Sequence, residues 1–352
     1  MDKPTIKIID VARRAGVSKG TVDRVIYNRG GVSKASETAV RKAIEELGYE
    51  PNLYASLLAS RQTRVIALLI PRFVPGMYWE KLSIGFEKGG EDVASLGIRT
   101  RTFLYDQYDP STFNDAVEEM LASNPSGVVF QPVFSALSAS LVERLSILSI
   151  PYVFVDTKLD VRGYLAYFGM PLYESGRLAA HLLTERCKVE DVDKVMIVRL
   201  IRDKAGLSDP TARRREGFSD FMAVHFPKAK LLPVFINPSD PEGIDRTLED
   251  FLEENGPSRY VVMFSSRVHL LSSFLASHPD PERRVVGYDN LDGNMKLLHE
   301  GLADILIAQH PEEQCRMAVK VISDFLLLHK KPELIDNYMH MDILTRFNED
   351  YY

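Results

Sequence analysis

The chain has 352 residues, of which 45% are hydrophobic and 26% charged, and its formal net charge is −6. This length suits two or three folding units, and the composition is that of a globular protein, which excludes a disordered chain. Its apolar runs are far shorter than the roughly 18 residues of a transmembrane helix, and the charged first ten residues differ from a secretory signal, so we expect a cytoplasmic protein with no membrane partner.

The charge is unevenly distributed along the chain. Residues 1–64 have a net charge of +5, whereas residues 65–352 have a net charge of −11. A basic segment attached to an acidic body indicates that the segment alone binds a polyanion. Taken by itself, the asymmetry fits chance clustering on a solvated surface equally well.

Three short helices are predicted at the start of the chain. Apolar residues recur at helical spacing over residues 8–15, and Gly16 ends this first helix. Ser18 caps a second helix, and a third helix runs from a cap at Ser33 to Gly48. Two helices joined by a turn with glycine form a helix-turn-helix unit, although a small helical bundle that binds no DNA would show the same periodicity.

Several segments of this region occur at fixed spacings. They are Ile9–Ser18, Thr21-Val22, Arg24-Val25, Val32-Ser33 and Leu47–Asn52. Together they closely resemble the headpiece of the lactose and purine repressor (LacI/GalR) family, over essentially all of residues 6–60. This resemblance is more specific than a single short motif, and it implies a homodimer that binds an inverted-repeat operator in double-stranded DNA.

The resemblance places the base-reading positions on the second helix, at Lys19, Gly20 and Arg24. Arg24 can present a two-pronged donor to guanine, and Lys19 a single charge. Gly20 departs from the larger reader often found there and has no side chain to contact a base. The other DNA-binding residues implied on this part of the chain are Ser18, Thr21 and Asn28.

Residues 51–63 are predicted to form a hinge helix and a linker. Pro51 begins a short helix that corresponds to the hinge helix of the family, which pairs across the dimer and inserts a leucine into the minor groove. The matching residues here are Leu58 and its neighbour Ala59. The alternative is that Leu58 packs on the body of the protein.

Strand-like and helix-like stretches alternate from residue 64 onward. This alternation predicts parallel sheets covered by helices on both faces, and eight or more strands favour two doubly wound lobes with a ligand between them. The predicted strands are Val65–Ile70, Ile98–Tyr105, Gly127–Pro132, Tyr152–Asp156, Lys194–Leu200, Leu231–Asn237, Tyr260–Phe264 and Arg284–Tyr288.

Three segments of the body are similar to the periplasmic-binding-protein-like core of the same family, a resemblance that spans roughly residues 64–345. These segments are Ile150–Asp156, Arg214–Phe218 and Val285–Asn290. The resemblance implies that Asp156, Arg214 and Asp289 bind the effector. Carboxylates accept hydrogen bonds from sugar hydroxyls and a guanidinium donates them, so this lining suits a polyol. Alternatively, either aspartate caps the turn after its strand.

Further effector-binding residues follow from the same resemblance. Tyr78 and Trp79 stand where sugar-binding relatives place two stacking rings, although core packing would explain one of the pair as well. Gln309 matches a polar residue on the crossover between the lobes.

One segment of the body departs from the family pattern. Many relatives carry Asn-Asp where this chain has Ser265-Ser266 followed by Arg267. This loss of an acid, together with Arg213–Arg215, shifts the pocket toward positive charge. We hypothesise that Ser265 and its neighbours select an acidic or phosphorylated sugar.

The expected domains follow from these segments. They are a helix-turn-helix headpiece at 1–50, the hinge and linker at 51–63, and a two-lobed effector domain at 64–345. Within the last, lobe 1 is expected at 64–160 plus 291–325, and lobe 2 at 161–290 plus 326–345.

An enzyme is the main alternative class for a doubly wound protein. The sequence has no glycine-rich phosphate loop, no zinc-binding helix motif, no nucleophile elbow and no histidine pair at metal-ligand spacing. We therefore expect neither catalysis, cofactor nor metal, and we expect Cys187 and Cys315 to be reduced core residues. An exported sugar-binding protein would carry a signal peptide in place of the head. The sequence thus predicts a ligand-responsive repressor of carbohydrate-utilisation genes, with an activator as the alternative.

Overall fold

The computed structural model describes residues 6–26, 30–49, 63–185, 187–201 and 211–352. The chain divides into two compact units, the first formed mainly by residues up to Thr63 and the second by Arg64–Phe325 and Lys331–Tyr352. No helix among the described residues is long and apolar enough to span a membrane.

The first unit is a three-helix head. Its helices are α1 Ile8–Ala15, α2 Lys19–Ile26 and α3 Lys34–Leu47. Gly16 and Gly48 end α1 and α3 at left-handed backbone angles (φ 68° and 59°), as the sequence predicted. Ser18 Oγ accepts a hydrogen bond from the Thr21 amide (3.1 Å), and Ser33 Oγ accepts one from the Ser36 amide (3.2 Å). The fully buried side chains at its centre are Val11, Val22 and Val40.

The second unit contains two lobes, each built on a six-stranded sheet with helices on both faces. The first part of the unit holds β1 Arg64–Pro71, α4 Tyr78–Ala94, β2 Ile98–Tyr105, α5 Pro110–Ala122, β3 Gly127–Phe130, α6 Ser135–Ile147, β4 Tyr152–Val155 and β5 Ala166–Gly169. The next part holds α7 Leu172–Thr184, β6 Lys194–Leu200, α8 Ala212–His225, β7 Lys230–Ile236, α9 Pro241–Asn255, β8 Tyr260–Met263, α10 Ser272–Ser277, β9 Arg284–Tyr288, α11 Asp292–His299 and β10 Ile305–Ala308. The last part holds α12 Pro311–Leu328, β11 Asp336–Tyr338 and β12 Asp342–Leu344. Short 3₁₀ turns occur at Val189–Asp191, Val268–Leu271 and Glu349–Tyr351.

The two sheets have the same strand order. It is β11-β5-β4-β3-β1-β2 in the first and β12-β10-β9-β8-β6-β7 in the second. All pairs are parallel except β10 with β12. The predicted fold class, a helical head followed by two doubly wound parallel lobes, is therefore confirmed. Parallel order also brings the carboxyl ends of the strands to one edge of each sheet, where such folds bind ligands.

The expected lobe boundaries need correction. Strand β5, expected in lobe 2, pairs with β4 in the first sheet, and β10, expected in lobe 1, pairs with β9 in the second. Strand β11, also expected in lobe 2, joins the first sheet, whereas β12 lies in the second sheet as expected. The sequence prediction did not count these four strands, each only three or four residues long, and so placed the crossovers several residues away from the strand ends where they occur.

Helices α7 and α8 approach each other closely through two glycines. A Cβ atom on Gly176 would lie 1.8 Å from the Arg214 carbonyl oxygen, and one on Gly217 would lie 2.0 Å from the Tyr173 carbonyl oxygen. Backbone contacts this close admit only glycine. They fix the start of α8, and with it the position of Arg214.

Candidate functional site

A cavity of about 400 Å³ opens between the carboxyl ends of the two sheets. Its walls come from the strand ends of both lobes, and its volume lies within the range of small-molecule sites. Seven residues that the sequence predicted to bind an effector all line it: Tyr78, Trp79, Asp156, Arg214, Ser265, Asp289 and Gln309.

The Asp156 carboxylate lies on the first-lobe wall and is held by side chains from three elements. Its Oδ1 accepts a hydrogen bond from the Tyr78 hydroxyl (2.8 Å) and a longer one from Gln309 Nε2 (3.4 Å), and its Oδ2 accepts one from Gln131 Nε2 (2.8 Å). A turn cap would accept hydrogen bonds from backbone amides, whereas the partners of the Asp156 carboxylate are side chains. The structure therefore does not show Asp156 as a turn cap. Burial and then the charge of Asp156 raise the pKa of Tyr78 well above its usual value, which keeps the Tyr78 proton available for donation.

Gln314 supports this wall from behind. It is fully buried on α12, and its Oε1 accepts a hydrogen bond from the Asp156 amide (2.9 Å), while its Nε2 donates to Gln309 Oε1 (3.4 Å). Sequence analysis missed Gln314, because a glutamine inside an amphipathic helix resembles any other surface residue.

Asp289 lies on the opposite wall in a less satisfied environment. It is 3% exposed, and its Oδ1 has no hydrogen-bond partner among the described residues. Burial raises its pKa to about 6, against the opposing effect of the Arg214 charge. Asp289 is thus a buried acceptor that changes its charge close to neutral pH.

Arg214 is the buried cation of the cavity. Its Nη1 donates to the Phe264 carbonyl oxygen (2.7 Å), and its guanidinium carbon lies 4.3 Å from the centre of the Tyr288 ring. The Nε atom has no partner among the described residues. Stacking and one strong hydrogen bond orient the guanidinium, while one donor stays available.

Unpartnered polar atoms are concentrated around this cavity. Five buried atoms without a partner in the described part of the chain belong to lining residues: Gln131 Oε1, Thr157 Oγ1, Arg214 Nε, Ser265 Oγ and Asp289 Oδ1. A buried polar group without a partner is costly, so such a cluster along a cavity wall is typical of a site that binds a polar ligand. Two of the atoms accept, one donates, and two hydroxyls can do either, which matches the needs of a ligand with several hydroxyl groups.

The two adjacent aromatic residues have different environments. Tyr78 is buried against Asp156, whereas Trp79 is half-buried, packs on the core of the first lobe and lines the cavity. Their rings meet edge to face, with centroids 5.3 Å apart. Trp79 therefore combines the two roles, core packing and cavity lining, that the sequence left open.

Two of the three consecutive arginines do not contribute to the cavity, which corrects the expectation of a positive pocket built on Arg213–Arg215. Arg213 is exposed and paired with Glu216, and Arg215 Nη1 donates to Thr211 Oγ1 (2.7 Å). Successive residues of a helix point about 100° apart, so only Arg214 faces the ligand side. Arg267 does line the cavity.

The head presents a separate candidate surface on α2. Lys19, Gly20 and Arg24 are exposed. At the start of the helix, the hydroxyls of Ser18 and Thr21 form a hydrogen bond (3.0 Å). Three further expected DNA-binding residues, Asn28, Leu58 and Ala59, lie outside the described residues.

Two family models match the chain. One is the periplasmic binding protein domain, over residues 66–331, and the other is the lacI family of bacterial regulatory proteins, over residues 7–52. The chain is 29% identical over 153 residues to catabolite control protein A of Staphylococcus xylosus, a match that covers 44% of each chain. The matched segment thus spans less than half the length of that curated relative.

Solved structures of other proteins have a fold similar to that of this chain. A protein of Bacteroides fragilis assigned as a LacI transcriptional regulator is 28% identical, with a TM-score of 0.78, and the match covers 83% of this chain and 100% of that one. A solute-binding protein of Agrobacterium vitis in complex with α-D-tagatopyranose is 23% identical, with a TM-score of 0.65 and coverage of 81% and 96%; at this identity it shows the fold alone.

Proposed function

Because this chain belongs to the periplasmic binding protein domain family and carries a lacI-family head, we propose that it is a ligand-responsive transcription regulator. The head binds double-stranded operator DNA, and the cavity between the lobes binds a sugar-like effector. The chain acts in the cytoplasm as a homodimer, represses carbohydrate-utilisation genes and catalyses no reaction.

One observation supports the ligand half of this proposal most directly. The five unpartnered buried atoms around the cavity belong to five different elements or loops, which come from both lobes. A bound polyol would bridge the lobes through these atoms, because its hydroxyls both donate and accept. Bridging favours a closed arrangement of the lobes, and differential binding to two arrangements is what changes a distant affinity.

The exposed face of α2 supports the DNA half. Lys19 and Arg24 are exposed on a helix whose other face is buried in the head core, and the segment up to residue 64 is basic. A major groove admits one helix, and exposed cations on that helix can reach guanine edges and phosphates. We propose that Ser18, Gly20, Thr21 and Asn28 complete this contact, and that Leu58 and Ala59 enter the minor groove.

The proposal is tested by selecting inverted-repeat duplexes with the full chain and footprinting the best one. Arg24→Ala should weaken binding by about 1–3 kcal/mol and relax the preference at one base pair. Arg41→Ala is the matched control, since Arg41 is an exposed arginine of the head that pairs with Glu37 on the same helix. Equal effects of the two variants would contradict the assigned recognition helix.

A further inference from the structure

The second-lobe wall of the cavity has a basic corner, which we define as Ser265, Arg267 and His269. All three line the cavity, and they follow β8 in a loop and a short 3₁₀ turn. Arg267 and His269 are half-buried. This corner is distinct from Arg214, whose guanidinium is already bonded to a carbonyl oxygen and stacked on Tyr288.

Arg267 has no carboxylate partner among the described residues. In the part of the chain that the structure describes, no acidic oxygen lies within 4 Å of its guanidinium, whereas Arg213, Arg259 and Arg316 of the same unit each have such a partner. A partly buried guanidinium without a counter-ion loses hydration and gains nothing in return. An unpaired arginine on the wall of a ligand cavity therefore indicates an anion from outside the chain.

The orientation of His269 is fixed by Asn294. The Asn294 Nδ2 donates to the carbonyl oxygens of Ser266, Tyr288 and Asp289 at 2.9–3.0 Å. Asn294 Oδ1 must then be the acceptor. It accepts hydrogen bonds from the His269 backbone amide (3.0 Å) and from His269 Nδ1 (2.8 Å). Nδ1 consequently carries a proton, and Nε2 is the ring nitrogen that is left to form a hydrogen bond with a ligand.

The acidic lining residues do not cancel this corner. Asp156, on the first-lobe wall, already accepts hydrogen bonds from three side chains, and Asp289 is buried on the second-lobe wall next to the charge of Arg214. Asp292 is exposed in the first turn of α11, where water screens its charge and the helix N-terminus stabilises it. Arg267 is the half-buried arginine on this wall.

From these observations we infer that the effector carries an anionic group, a carboxylate or a phosphate, that binds at the basic corner while its hydroxyls bind Asp156, Arg214 and Asp289. The inference rests on the proposed ligand-sensing function and narrows its ligand class to acidic or phosphorylated sugars. The guanidinium of Arg267 pairs with the anion, and Ser265 Oγ donates to it.

The test is calorimetric titration of the full chain with matched sets of neutral hexoses, the corresponding hexuronates and the hexose phosphates. At least one anionic member should bind about 10- to 100-fold more tightly than its neutral counterpart, the usual effect of a charge-assisted hydrogen bond. The uronate and phosphate arms identify which anion is preferred. Arg267→Gln should remove most of this preference, and Arg267→Lys should restore part of it.

Arg213→Gln is the control for general loss of positive charge, because Arg213 is exposed, lies outside the cavity lining and pairs with Glu216. It should leave the preference unchanged. Tighter binding of a neutral hexose, or an undiminished anion preference in Arg267→Gln, would overturn the inference while leaving ligand sensing intact. Failure of every sugar to bind would overturn the inference and the proposed sugar ligand together, with operator binding as the separate test of the DNA half.

Discussion

Asp156 and Asp289 occupy equivalent positions in the two lobes, each directly after the fourth strand of its sheet in chain order and each at a positive φ (63° and 68°). Asp156 is held by three side-chain donors, whereas Asp289 Oδ1 has no partner among the described residues. One lobe therefore presents a preassembled acceptor, and the other presents an acceptor that a ligand must complete. We therefore expect the charge of Asp289 to respond to ligand binding.

The first prediction concerns pH. The pKa of Asp289 in the folded chain is about 6, above its usual value of 3.8, so its ionised form destabilises the fold at neutral pH. Below about pH 4 the group is protonated in both states and this cost vanishes. Lowering the pH from about 7 to about 4 should therefore remove a destabilisation of up to about 3 kcal/mol. Thermal melts of the wild type and Asp289→Asn measure it, and an identical pH dependence of the two would contradict the assignment.

Ligand binding should couple to the same titration. A ligand hydroxyl that donates to Asp289 favours the ionised carboxylate and lowers its pKa, so binding near pH 6 should release protons and strengthen as the pH rises through 6. Calorimetry in two buffers with different ionisation enthalpies counts these protons. Proton uptake, or a pH-independent affinity between 5 and 7, would show that the ligand does not donate to this carboxylate.

Two buried tyrosines make a matched pair. The Tyr78 hydroxyl donates to Asp156, whereas the Tyr105 hydroxyl is buried without a partner among the described residues. Tyr78→Phe should destabilise the fold by about 1–3 kcal/mol, because it removes a hydrogen bond to a buried charge. It should also lower the affinity for the ligand. Tyr105→Phe should be neutral or stabilising, since it removes an unsatisfied hydroxyl. Chemical denaturation of both variants checks the contrast, which equal losses would contradict.

Trp79 gives a direct optical signal for the cavity. It is the single tryptophan of the chain and lines the cavity while half-buried. A ligand that displaces water from its ring should change the intensity or wavelength of tryptophan emission with a single-site isotherm. Trp79→Phe should abolish the signal but retain binding by calorimetry. A ligand that binds with no change in emission would lie elsewhere.

The contact between α7 and α8 should be sensitive to one methyl group. Gly176→Ala places a Cβ atom 1.8 Å from the Arg214 carbonyl oxygen, so it should destabilise by at least about 1–3 kcal/mol and weaken ligand binding by moving Arg214. Gly20→Ala is the control, because the nearest atom to its Cβ would be Ser18 Oγ at 3.8 Å. That substitution in α2 should stabilise by about 0.5–1 kcal/mol. Thermal melts distinguish the two, and a neutral Gly176→Ala would contradict the packing.

The elements with strong periodicity were predictable from sequence, and the polar partners in the cavity were not. Strands β2, β6 and β9 begin and end at the predicted residues because apolar runs and flanking turns mark both ends. Strand β11 escaped prediction because Asp336–Tyr338 is short and polar, and its pairing with β5 is decided by tertiary structure.

The cavity residues illustrate the same division. Asp156 and Asp289 were predicted because the segments that they belong to, each with a buried strand followed by the aspartate, resemble the body of the family. Gln131 and Thr157 follow strands in the same way, yet a polar residue at a strand end is common and only the fold brings these two to the cavity. The roles of Arg213 and Arg215 were predicted wrongly because the sequence does not fix which side of the helix faces the ligand.

The central claim is that one chain couples operator binding in its head to ligand binding in its cavity. The most direct test is to measure the affinity of the full chain for its selected inverted-repeat duplex, at several salt concentrations, with and without an anionic sugar that binds the cavity. We predict a salt-dependent, sequence-selective affinity that the ligand changes by roughly 5- to 150-fold. An affinity that shows no sequence preference, or that is the same with and without a cavity-bound ligand, would contradict the account.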